Sequence, residues 1–141
     1  MKKLFLLAIA ILTVTSQVFA FSSEEILKLW EADQKSAALK QLSQWKRADK
    51  KTAGPWVLSA HIAFEQKKYK KCLNYAETAL GKSPQTAEAY YWRGRAFEAM
   101  SKWMDAANEY RAALLVDPNY SQAMELLNRV NSQLGSASTQ P

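Results

Sequence analysis

Shifted by 34 residues, the chain falls on its own side-chain pattern. Pro84 meets Pro118, Trp56 meets Tyr90, Ala79 meets Ala113, Leu80 meets Leu114, Tyr69 meets Trp103, Ala60 meets Gly94, and Cys72 meets Ala106. The pairs agree in size as well as in polarity. A period of this length marks a stack of two-helix units, in which neighbouring units bury a continuous core between them.

The composition supplies the helices. Ala, Leu, Lys, Glu and Gln are abundant, Val, Ile and Thr are sparse, and no stretch alternates in strand fashion. The spacing predicts helices over about 23–33, 36–48, 55–67, 70–81, 87–100, 103–115 and 121–134. Ser22-x-x-Glu25 reads as a capping box. Pro55 suits a helix start, and Ser83-Pro84 and Asp117-Pro118 end one helix before the next. The seventh run has no partner helix. Met124, Leu127 and Val130 share one of its faces, with Gln122, Glu125, Arg129 and Asn131 elsewhere, as a terminal cap requires. The expected architecture is all-α: a helix-turn-helix solenoid of about three units (22–52, 53–86, 87–120), a capping helix over 121–134 and a flexible tail over 135–141.

The third unit runs Tyr90, Gly94, Phe97, Ala106, Tyr110, Ala113, Pro118. In this it resembles the tetratricopeptide repeats (TPRs), departing at Arg93, where that family prefers leucine. The second unit matches through Trp56, Ala60, Cys72, Ala79 and Pro84, while Ala63 and Ala76 replace aromatics. The first is degenerate: Leu29, Ala38 and Leu42 fit, but Ile26 stands at the small position and Lys50 replaces the proline. The resemblance implies that the two helices of a unit cross at the small residue, with Gly94 facing Ala106 and Ala60 facing Cys72. It also implies a concave, partner-binding face lined by the first helix of each unit.

The chain opens with Lys2 and Lys3, an apolar run from Leu4 to Leu12, and Val18-Phe19-Ala20. That is the layout of a secretory signal peptide cut after Ala20, its apolar run too short to span a bilayer. No cysteine follows the run, so a lipoprotein is not expected. The expected product is periplasmic or secreted and has no transmembrane anchor once cut. Removing residues 1–20 takes two of the 19 basic residues and leaves 13 acidic ones, so the net charge falls from +6 to +4. Such a balance needs no nucleic-acid partner.

Chemistry-bearing motifs are lacking: the sequence holds no HExxH, CxxC, GxSxG or phosphate loop. Cys72, the single cysteine, reads as a small buried residue standing in for alanine. His61, the single histidine, has no second imidazole or thiolate to share a metal. Neither an enzyme, a cofactor nor a metal site is expected.

Three rows at the repeat spacing define the candidate inner face: Leu27, His61, Arg95 and Arg129; Trp30, Phe64 and Glu98; Ser23, Val57 and Tyr91. The lysines and asparagines with which some family members grip carboxylate-ending peptides are absent from these rows. A second candidate is a basic edge, where Lys67, Lys68, Lys70 and Lys71 surround Tyr69 and stacking would add Lys35 and Lys102. These read either as a solvated rim or as a strip for an anionic surface or acidic partner. The expected function is an exported scaffold that binds a peptide or envelope protein. The alternative is a carbohydrate-binding or polymer-export accessory module, with Trp30, Phe64 and Tyr91 as stacking faces. With so few units, pairing with a partner or weakly with itself would help stability.

Overall fold

The structure is a computed structural model that describes residues 21–137. The signal segment expected over 1–20 and the last four residues of the tail lie outside this range. Seven helices follow one another among the described residues: α1 (Ser23–Glu31), α2 (Lys35–Ala48), α3 (Gly54–Glu65), α4 (Tyr69–Lys82), α5 (Ala87–Ala99), α6 (Trp103–Val116) and α7 (Ser121–Ala137). There is no strand among them. Each helix pairs with the next in sequence, and α1, α3 and α5 also pack in order against one another, whereas α2, α4 and α6 have no comparable contact. The stack therefore curves with α1, α3 and α5 on its inner, concave side.

The first helix of each unit stops earlier than the sequence periodicity suggests. The reason is a turn that repeats with the period. Asp33, Lys67 and Ser101, each 34 residues apart, take left-handed φ values of 60°, 58° and 59°. The amide that follows each then donates back five residues: Gln34 N–H to Leu29 O, Lys68 N–H to Ala63 O and Lys102 N–H to Phe97 O, all at 2.9 Å. This closure satisfies carbonyls that the helix end would leave open. The first unit makes it as faithfully as the others.

The junctions between units repeat as well. Asp49, Ser83 and Asp117 each end a helix in extended backbone. Prolines follow the second and third; Lys50 follows the first. There the Asp49 carboxylate does the work, accepting from the N–H groups of Lys51 and Thr52 at 3.1 Å and from the Thr52 hydroxyl. Those donors hold the Asp49 carboxyl below its usual pKa, the Thr52 hydroxyl first among them. Asp117 accepts from Asn119 N–H at 3.0 Å in the same way beside Pro118, so at Asp49 the side-chain turn acts without proline's steric rule.

Two other local expectations change. Ser22 occupies the N-cap of α1, but its hydroxyl makes no capping hydrogen bond. The last helix passes through Gly135, where the tail was expected to begin, and ends at Ala137. Gly135 has no positive φ to stop it, and glycine weakens a helix without breaking it.

The core is divided. The larger part runs from Val57 and Ala60 through Cys72, Trp92, Ala106 and Tyr110 to Val130. A smaller, separate part joins Ile26, Ala38 and Leu42 of the first hairpin to Leu58 and Ile62 of α3. Gly94 lies within the larger part. A Cβ there would come 2.5 Å from Cε1 of Tyr110, so the ring of Tyr110 covers the glycine. Tyr110 is fully buried by this packing. The Arg93 departure is also explained: its guanidinium pairs with Glu109 of α6 at 3.0 Å.

Candidate functional site

The inner faces of α3 and α5 build an aromatic bowl with one cation in it. Trp92 forms the floor. His61 stacks on it at 4.2 Å between centroids and 18° between planes, Phe64 tilts against it at 5.6 Å, and Tyr91 meets it edge-on at 5.1 Å. The guanidinium of Arg95 lies 4.5 Å above the Phe64 ring, within cation–π range of Tyr91 and Trp92. Its Nη1 donates to the Tyr91 hydroxyl at 2.8 Å. No carboxylate forms an ion pair with Arg95 among the described residues. A half-buried guanidinium held flat against rings keeps most of its donors for something else.

The other two members of that row behave differently. Arg129 bonds Glu98 through Nε at 3.0 Å and through Nη2, and Glu98 also accepts from the Tyr110 hydroxyl at 2.6 Å. Arg129 and Glu98, both expected to face a partner, thus neutralise each other and brace the capping helix on α5. His61 is desolvated by the packing, and Arg95 nearby opposes a second positive charge, so its pKa lies below the ordinary histidine value despite Glu65 at 3.9 Å. Burial thus favours its uncharged form, a flat ring on Trp92. Of the row's two arginines, only Arg95 has no ion pair among the described residues.

Beside the bowl, a cavity of about 140 Å³ opens between α1, α3 and the start of α5. Leu27, Val57 and His61 line it with Ser23, and Glu88 stands on its rim. Val57 is otherwise a core residue, 6% exposed, and Tyr91 is 9% exposed, so each offers an edge rather than a face. Trp30 packs at the first hairpin, with the Lys35 ammonium 5.7 Å above its ring. The stacking platform that a sugar would need is therefore occupied: Arg95 covers Phe64 and Tyr91 is buried.

Trp92, the centre of the bowl, was not among the sequence candidates. Three members of its row at the repeat spacing, Leu58, Trp92 and Leu126, are buried at 3%, 6% and 7% exposure. The period could have revealed it: the row is Glu24 in the first unit, where nothing precedes it in the stack, but large and apolar in each later one, as a position at the seam between units must be.

Cys72 is buried and bonded through its thiol to the Trp92 carbonyl at 3.4 Å, and burial pushes its pKa up to about 12. That environment keeps it an unreactive thiol. No group of three or more potential metal ligands occurs among the described residues, and none of the described helices is long and apolar enough to cross a membrane. Along the basic edge, Lys35 is tied to Asp33 at 2.9 Å and Lys102 lies 5.8 Å over the Phe97 ring. Lys67, Lys68, Lys70 and Lys71 stay exposed.

No family model and no curated protein sequence matches the chain. Solved structures do. The first TPR domain of human RPAP3 superposes with a TM-score of 0.74 at 22% identity, covering 84% of this chain and 94% of that one. The first TPR of Spaghetti (RPAP3), bound to the HSP90 peptide SRMEEVD, gives 0.71 at 22% identity over 80% and 90%. The Arabidopsis OM64 TPR domain gives 0.69 at 19% identity over 78% and 91%. The fold is a TPR solenoid.

Proposed function

We propose that this protein is an exported TPR scaffold that holds an extended, acidic peptide segment of a partner protein along its concave groove. The observation that carries the reading is Arg95: a guanidinium clamped on three aromatic rings and the Tyr91 hydroxyl, without a carboxylate partner among the described residues. Such a group is preorganised for a carboxylate, which it can meet with parallel N–H donors. The adjoining cavity, lined by Leu27 and Val57, suits an apolar side chain one or two residues along. The peptide in the similar RPAP3 complex, SRMEEVD, carries three acidic residues among its last four, and that chemistry suits Arg95.

The test is calorimetric titration of a panel of short peptides, acidic, neutral and basic, with apolar residues at varied positions. Acidic peptides should bind best. Arg95→Ala should weaken them by about 1–3 kcal/mol, and Phe64→Ala by a similar amount because it removes the ring beneath the guanidinium. Asn74→Ala, on the exposed side of α4, should leave binding unchanged. Binding that survives Arg95→Ala but falls with Asn74→Ala would move the site off the concave face.

A further inference from the structure

The α3–α4 turn carries four lysines within five residues. Lys67, Lys68, Lys70 and Lys71 ring an open hollow of about 440 Å³ whose remaining walls are Tyr69 and, from the next unit, Met100. All four lysines are exposed. Lys68 reaches only the neutral Gln66 amide at 2.7 Å. The side-chain ammonium groups of Lys67, Lys70 and Lys71 make no hydrogen bond or ion pair among the described residues.

The fold does not ask for these charges. One period away, the positions of Lys70 and Lys71 hold Ser36 and Ala37 in the first unit and Met104 and Asp105 in the third. Lys70 and Lys71 sit in the first turn of α4, which has no acidic residue. The positive pole of the helix makes that the least favourable end for a cation. The left-handed turn does not ask for a lysine at 67 either, since Asp33 and Ser101 hold the same torsion in the other units. Two of the four charges, Lys70 and Lys71, therefore persist where the dipole of their own helix opposes them.

We propose that this hollow docks an anionic phospholipid surface. The side chains favour lipid over an acidic protein segment. Lysines are point charges on flexible stems, suited to mobile phosphate headgroups, whereas a fixed carboxylate is better met by an arginine fork, and the hollow has no arginine. Tyr69 and Met100, both half-buried, offer an amphipathic and an apolar group at the depth of the headgroup layer. The charge is complementary, and each lysine near an anionic leaflet adds attraction that salt screens. The turn lies at the edge of the stack, so a docked molecule would keep its concave groove open.

The test is co-sedimentation with phosphatidylcholine vesicles and with vesicles enriched in phosphatidylglycerol, using the chain from Phe21 onward, which contains both parts of the core. The parent should bind the anionic vesicles only, and less as salt rises. Replacing Lys67, Lys68, Lys70 and Lys71 with glutamine should weaken binding tenfold or more, whereas glutamine at Lys40, Lys50, Lys51 and Lys82, an equal loss of exposed charge, should leave most of it. Circular dichroism should show both variants folded; Lys70→Glu alone serves if the first is not. Equal losses in the two sets would overturn the proposal in favour of net charge. Unchanged binding by the first set, equal binding to neutral vesicles, or tighter binding of polyglutamate than of vesicles would also overturn it.

Discussion

Gly94 shows what a single missing methyl group decides. An alanine in a helix interior normally gains about 1 kcal/mol over glycine. Here its Cβ would stand 2.5 and 2.7 Å from two ring carbons of Tyr110. The ring is fully buried, and its hydroxyl is held by the same Glu98 that holds Arg129, so it cannot retreat without loosening the capping helix. Gly94→Ala should therefore destabilise by about 1–3 kcal/mol, as overpacking does. Gly81→Ala, whose Cβ would meet nothing within 4 Å, should be neutral or stabilising. Thermal melts of the two variants decide the matter, and a Gly94→Ala protein melting at or above the parent would refute the tight contact. The need for a small residue was legible in the sequence; how closely the Tyr110 ring lies over it was not. Position in the period fixes which backbone points face each other. Which side chain leans across is set by rotamer and helix direction. The same gap explains the groove: the rows picked out Arg95, Arg129 and Glu98, but could not say that two of them would pair.

At the scale of the helix, the helices were readable to within a few residues, because apolar spacing and proline breaks act locally. The first hairpin was readable only as degenerate, although its turn at Asp33 and its junction at Asp49 match those of its neighbours. Its weakness lies elsewhere. Its share of the core is separate from the main one. Cavities of about 140 and 110 Å³ line the two sides of its seam with the second unit, the latter among Leu39, Leu42, Ile62 and Tyr75. Contacts across that seam should therefore open at lower free energy than those between α5 and α6. Native-state hydrogen exchange is expected to release the amides of Ala38 and Leu42 well before those of Ala106 and Tyr110. Equal protection at all four would instead mean that the stack opens as one unit.

For the whole molecule, the export reading rests on residues 1–20 and is checked by mass. The product recovered from the cell envelope or medium is expected to begin at Phe21, and a mass that retains the first 20 residues would rule out cleavage there. The curvature of the stack came from contacts between α1, α3 and α5, which no single stretch of sequence specifies. The left-handed turns at Asp33, Lys67 and Ser101 carry a consequence at this scale too. An acid, a base and a hydroxyl amino acid hold the same torsion, so the period is kept by the backbone and tolerates drift in the letters. A chain can thus share little sequence with the TPR domains on which its shape superposes. Phase is then counted in whole units: removing or copying 34 residues leaves every face where it was, whereas one residue inserted inside a helix turns all that follows in it by about 100°.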